Sequence, residues 1–332
     1  MFDVVTFGSA ALDIEVLMPK NIIREDNKSI AGKAYCFNLG SKLDVKDMYF
    51  GFGGGGVNTA ATFKKQGFKT AYCGMVGQDI SGKEIIEYLN GQGIDSSLVK
   101  TTKEKLTNNS VIMDNATEDR TVLAYRGASE LLSGKDLPKD LQAKWFYLAP
   151  LSGKLSGATE DILDLARKNG VKTAVNLGNS QLKMPKPKLK IILEKIDVLI
   201  LNKEEASILT NIGYNEEREI VLKLFRMHAG INVMTKGKDG VTVTDGKKAY
   251  EAKLKKFKVI DETGAGDSFG SGFVSGLIKT GDIEYSIKLG LANSKYALLV
   301  RGATTGLLSE KDNYLVEKEG IKVRKSIFES RR

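Results

Sequence analysis

From Trp145 onward, short apolar runs alternate with longer stretches in which apolar residues recur at helical spacing. Residues 145–149, 171–176 and 196–201 read as buried strands, and 156–169 as an amphipathic helix closed by Gly170. Strands alternating with helices predict a parallel sheet with helices on both faces. The N-terminal half carries a first strand at 3–8, another at 70–77, and a helix near 81–90 with Ser81 and Glu84 at capping-box spacing. Shorter, more polar segments at 34–39, 43–50, 108–113 and 120–125 suit a hairpin or small sheet. A strand–turn–strand is expected at 232–246. A helix should open near Gly264, because Phe269, Phe273 and Leu277 recur every four residues. Gly272 and Gly276 would let it approach a neighbour closely, and 283–299 reads as a second helix. The charged C-terminal tail shows no pattern.

Composition narrows the function classes. A chain of 332 residues, 42% apolar and 27% charged, suits one large domain or two modest ones. The net charge of +9 comes from lysines scattered among acids, and the densest basic patches, 183–190 and 322–332, lack interleaved aromatics. A polyanionic small molecule is the expected partner, not a nucleic acid. Cys36 and Cys73 lie far apart without metal-ligand spacing, and no leader or 18-residue apolar run is seen. A reduced, cytoplasmic location away from membranes is therefore expected. The single histidine, His228, reads as a solvated residue of a surface helix, which leaves histidine triads and multi-histidine zinc sites without support.

The candidate chemistry centres on Asp261-Glu262-Thr263-Gly264-Ala265-Gly266-Asp267. Glycines at a helix start let unpaired backbone amides reach an anion. Asp267 in that first turn either stabilises the helix end or takes a proton from an attacking hydroxyl. Asp13 follows the first strand, as a ligand-binding acid or a turn acid. Gly51, Gly53 and Gly56 satisfy G-x-G-x-x-G with Asp79 downstream, so a nicotinamide-dependent oxidoreductase competes. Asn202 and Glu205, at the end of a buried strand, have the spacing to hold hydrated magnesium and phosphate; a plain capping box has the same spacing.

The 261–267 run resembles the second signature of the ribokinase-like (PfkB) carbohydrate kinases, and Gly53, Gly54 and Asn58 resemble the first. The resemblance spans about residues 3–308. It implies a three-layer α/β/α domain with a mostly parallel sheet, formed by 1–14, 51–106 and 126–332, and a small β lid from 15–50 and 107–125. The implied reaction moves the γ-phosphoryl of ATP to an alcohol, expected to be primary, of a sugar or nucleoside. Asp267 would be the base and Gly264, Ala265 and Gly266 the anion hole, with Asp13, Gly53, Gly54 and Asn58 on the acceptor. Asn202, Thr235, Gly237 and Asn293 would meet the nucleotide, and Glu205 would hold Mg2+ through water. Asp261 resembles a monovalent-cation (K+) site seen in some relatives, and because exposed lid strands often pair between subunits in relatives, the resemblance offers a homodimer through the lid while leaving the oligomeric state open. Ala11 stands where ribokinases carry Asn, which weakens the case for free ribose. A ligand-sensing protein without catalysis is the non-enzyme alternative.

Overall fold

The computed structural model describes residues 1–27, 32–115 and 120–327. Parts of the expected lid (28–31 and 116–119) and the end of the basic tail (328–332) lie outside the described residues. Among the described residues, ten strands form one sheet. Its order is Val323–Ile327, Lys248–Ala252, Val241–Thr244, Ile231–Thr235, Val198–Asn202, Lys172–Asn176, Ala143–Leu148, Phe2–Phe7, Thr70–Gly77 and Val99–Thr102. Strands from Ile231–Thr235 to Val99–Thr102 pair in parallel, and the other three join antiparallel. The first strand lies inside the sheet. The chain leaves it for Thr70–Gly77 on one side and later returns to Ala143–Leu148 on the other. Connections therefore part in opposite directions at the carboxyl ends of Phe2–Phe7 and Ala143–Leu148, opening a crevice there.

Strands covered on both faces need apolar side chains at every position, and Thr70–Gly77 is buried throughout. Side-chain alternation sends Val5, Phe146, Val175 and Leu199 to one face, against the helix Thr159–Lys168. Val4, Tyr147, Ile200 and Val233 meet Phe269, Phe273 and Ile287 on the other.

A separate sheet orders Asp47–Gly53, Ala11–Leu17, Asn108–Asp114 and Thr121–Tyr125. Its register sets Gly51, Asp13, Ser110 and Ala124 in one cross-strand row. The adjacent row, Phe50, Ile14, Val111 and Leu123, points the other way. The fold is thus a mixed α/β architecture, with a mostly parallel sheet flanked by helices and a small second sheet.

Several local expectations are corrected. The helix expected from Ser81 spans Ile80–Gly91 and is capped by Asp79, whose Oδ1 accepts from Gly82 N at 2.8 Å. The stretch 156–169 divides into Gly153–Gly157 and Thr159–Lys168. His228 is buried, with Nε2 donating to the Ile196 carbonyl at 2.8 Å and Nδ1 3.0 Å from Asn232 Oδ1. The tail contributes Val323–Ile327, hydrogen-bonded along the sheet edge. Both cysteines are free, and no helix among the described residues is long and apolar enough to cross a membrane.

The helices Ala265–Thr280 and Ile283–Leu298 approach each other closely because glycine lines their seam. A Cβ on Gly276 would lie 2.7 Å from Ser286 Cα, a backbone atom that cannot swing aside. Gly276→Val should therefore force the helices apart and cost on the order of 1–3 kcal/mol, read as a lower urea midpoint. An unchanged midpoint would mean that the seam can open freely.

Candidate active site

The helix Ala265–Thr280 begins at the crevice because Gly264 turns the chain there with φ 73°. Only glycine enters that left-handed region readily, and a Cβ on it would also press Ala303 Cβ at 2.9 Å. Beyond this turn, Ala265 N donates to Glu262 O at 3.3 Å, while the amides of Gly266 and Asp267 have no acceptor among the described residues. They and the helix dipole leave partial positive charge at the crevice mouth.

Asp267 follows in the first turn. Its Oδ2 accepts from Asn58 Nδ2 at 2.8 Å across 209 residues of sequence. Burial pushes its carboxyl above the ordinary range, and the Asn58 bond partly opposes that rise. Asn58 belongs to the helix Gly55–Lys65, which starts directly after the small sheet's strand Asp47–Gly53. Its Oδ1 is buried without any protein partner. Asp13 closes the same corner: its Oδ2 sits so near Gly53 that a Cβ there would be 2.1 Å away. Burial raises the Asp13 carboxyl, opposed by a hydrogen bond from the Ser110 hydroxyl and with the nearby Asp261 charge adding to the rise. Gly54 is the helix N-cap at φ 90°. Asp13, Gly53, Gly54, Asn58 and Asp267 therefore converge.

On the other side of Ala265 and Gly266 lies a cavity of about 940 Å³, open to solvent. Thr235 and Gly237 line it, with Lys238, Lys253, Lys255 and Lys256 on its walls and Phe257 and Leu291 as apolar surfaces. The lysines and aromatic wall from 253–257 lie in a segment with no motif, so sequence reading missed them. Asn202 is exposed and stands opposite Thr235 across neighbouring strands. It forms a reciprocal capping box with Glu205: Glu205 N donates to Asn202 Oδ1 and Asn202 N to Glu205 Oε2, both at 2.8 Å. Burial raises the Glu205 carboxyl. No cluster of three metal-ligating side chains occurs among the described residues.

Two expected contacts are corrected. Asn293 faces away from the cavity and is fully buried in helix packing. It donates to Ser268 O at 2.7 Å and accepts from Leu308 N at 2.8 Å; Leu291 and Ser294 of the same helix line the cavity instead. Asp261 meets protein donors where a monovalent cation was expected. Its Oδ1 accepts from Thr263 N, Thr263 Oγ1 and Arg120 Nη1, and its Oδ2 from Gly302 N at 2.9 Å. Burial alone would raise the Asp261 carboxyl, but these Thr263 and Gly302 bonds, with the Arg120 charge, hold it below the ordinary range. Arg120 carried no local signal, because its partner lies 141 residues away. The dinucleotide alternative also fails on placement. Gly51 and Gly53 lie in an antiparallel strand of the small sheet, while Asp79 caps a helix and accepts from Thr107.

A family model described as pfkB family carbohydrate kinase matches residues 25–310. Ribokinase of Haemophilus influenzae is 27% identical over 284 residues, covering 84% of this chain and 91% of the relative. An ATP-dependent 6-phosphofructokinase of Thermoanaerobacterium thermosaccharolyticum is 27% identical over 266 residues, covering 77% and 81%. The solved nucleoside kinase of Methanocaldococcus jannaschii, an archaeal member of the ribokinase family, has a TM-score of 0.77 at 24% identity, covering 95% and 98%. With a helix N-terminus open at the crevice, a buried carboxylate beside it and a matching family model over most of its length, the chain belongs to the pfkB family of carbohydrate kinases and is a phosphotransferase.

Proposed function

We propose that this protein transfers the γ-phosphoryl of ATP to a primary hydroxyl of an uncharged sugar or nucleoside, with Asp267 as the base. The observation that carries the reading is the pairing of Asn58 with Asp267. Asn58 holds the carboxylate with its amide nitrogen and leaves Oδ1 buried and unpartnered, ready to accept from an acceptor hydroxyl. Asp13 offers a second acceptor of hydrogen bonds across the same corner. The nucleotide would lie in the lysine-walled cavity, its terminal phosphate at the amides of Gly266 and Asp267.

In that arrangement Asp267 takes the hydroxyl proton as the oxygen bonds to phosphorus. The bond from phosphorus to the bridging oxygen breaks, and ADP leaves with that electron pair. Little covalent work falls to the protein, so positioning and charge stabilisation carry the rate. Magnesium, when bound with the nucleotide, would neutralise phosphate charge, and Glu205 would hold its water shell through Oε1. Asn202 and Thr235 would flank the phosphates on adjacent strands. The small sheet would act as a lid that keeps water from competing as acceptor. An uncharged acceptor is favoured over a sugar phosphate because the nearby arginines, Arg120 and Arg301, are both held by carboxylates. The outward apolar row, with Phe50 67% and Leu123 56% exposed, supports pairing with a second copy of this chain.

An ATP-coupled screen of sugars, sugar phosphates and nucleosides tests the reaction. The expected result is steady ADP production with one neutral acceptor; turnover only with phosphorylated acceptors would contradict the specificity reading, and none with any acceptor would favour a ligand sensor. Asp267→Asn should keep ATP binding while lowering turnover by on the order of 10²–10⁴; near-normal turnover removes it from the base role. The raised carboxyl must lose its proton to act, so kcat/KM should fall on the acid side at a higher pH than an ordinary aspartate would set. Asn58→Ala removes the bond that lowers this pKa, so the acid limb should move further up. A limb that stays put or moves down refutes the assignment. Finally, sedimentation should give a dimer that Phe50→Glu weakens; a monomeric wild type would dismiss the pairing.

A further inference from the structure

Two arginines cross between the small sheet and the body of the protein in opposite directions. Arg120, just before the strand Thr121–Tyr125, donates through Nη1 to Asp261 Oδ1 and to Thr263 Oγ1, the latter at 2.7 Å. Thr263 directly precedes Gly264, the residue whose left-handed turn opens the anion-binding helix. Arg301 reaches the other way, from the loop after Ile283–Leu298. Its Nη1 donates to Glu15 Oε1, its Nη2 to Asp114 Oδ2 at 3.4 Å, and its guanidinium lies 4.9 Å from the centre of the Tyr49 ring. Glu15, Asp114 and Tyr49 belong to three strands of the small sheet.

The two contacts join into one circuit. Gly302, next to Arg301, donates to Asp261 Oδ2, so the carboxylate held by Arg120 also holds the base of Arg301. Ala303 then packs on Gly264. Movement of the small sheet away from the body would break both guanidinium contacts and leave the Asp261 carboxylate, 9% exposed in its side chain, without a countercharge. A mostly buried charge that loses its partner is strongly unfavourable. Both bonds leave from Nη1; a lysine there would keep the charge but carry it on a differently shaped, more strongly hydrated ammonium.

We propose that Arg120 and Arg301 are positioning residues that hold the 261–264 turn in its anion-binding shape only while the small sheet is seated, and that Arg120 supplies the positive charge at Asp261 in place of a monovalent cation. This rests on the phosphoryl-transfer reading above. It makes the anion hole conditional on closure, so phosphate would be polarised only after the acceptor is covered. It also makes potassium unnecessary for the native enzyme.

The test compares wild type, Arg120→Ala and Arg120→Lys by amide hydrogen exchange over residues 259–268 and by steady-state kinetics, each with and without potassium chloride. Wild type should exchange slowly at the hydrogen-bonded amides of this segment, Ile260, Asp261, Thr263 and Ser268, and show no potassium response in either readout. Arg120→Ala should exchange faster there, with distant strands such as Lys172–Asn176 unchanged, and potassium should slow that exchange again. Its kcat should drop by about 10²-fold, the scale of a misplaced catalytic group, with a smaller change in the KM for ATP and partial recovery in potassium. Arg120→Lys should fall between the two. Wild-type exchange that slows on adding potassium, or Arg120→Ala exchange equal to wild type in this segment, would overturn the proposal. The exchange readout does not need turnover, so a protein inactive towards every acceptor would sink the phosphoryl-transfer reading while still deciding this one. Faster exchange throughout Arg120→Ala would signal global destabilisation; Arg120→Lys then decides, and wild-type exchange in its segment without potassium would also overturn the proposal.

Discussion

The hydrogen bond from Asn58 to Asp267 is the constraint on which the site depends. It joins the start of the helix Gly55–Lys65 to the start of Ala265–Thr280, two helix ends that the sheet topology delivers to one crevice. A carboxylate there is otherwise poorly solvated, and burial drives it towards its protonated form. One donated hydrogen bond restrains that rise and orients the side chain. The same amide then presents its oxygen to whatever enters the corner. One side chain thus both orients the Asp267 carboxylate and leaves a free hydrogen-bond acceptor in the same corner.

Around that bond, the two ligand spaces have opposite electrostatic character. The cavity beside Ala265 and Gly266 has lysine walls and a helix N-terminus at its mouth, suited to an anion. The corner formed by Asp13, Asn58 and Asp267 offers oxygens, suited to hydroxyl donors. Asp267 stands at their boundary. The arginines close to the acidic side are neutralised by Glu15, Asp114 and Asp261, so they shape the enclosure without making it cationic.

Short motifs with two physical uses were the least decisive. Asn202 and Glu205 make a complete capping box in this structure, satisfying two helix-end amides. That use does not prevent a remaining carboxylate oxygen from facing a hydrated cation, and spacing alone cannot separate the two. Asp79 is the simpler case, since its helix cap and its bonds to Thr107 account for it without any ligand.

Local chemistry was legible in the sequence wherever one segment carries the whole physical reason. The turn at Gly264, the helix beyond it and the apolar strands from Trp145 onward all follow from residue types over a few positions. The glycine seam was readable too, because small residues on one helix face invite a close neighbour. Everything that needed two distant segments was decided by the tertiary structure. Asn293 lies on a helix whose existence was plain, yet only packing determined that it bonds Ser268 and Leu308 while its neighbours line the cavity. His228 looked solvated by its neighbours and is buried, where the turn leading into the strand Val198–Asn202 supplies the Ile196 carbonyl. The charged tail became a sheet edge because Lys248–Ala252 offered unpaired backbone groups, a demand that no side-chain pattern records. Arg120 and Asp261 meet only because the small sheet folds over the helix start; a charge pair has no sequence periodicity, and its partner is chosen by the fold.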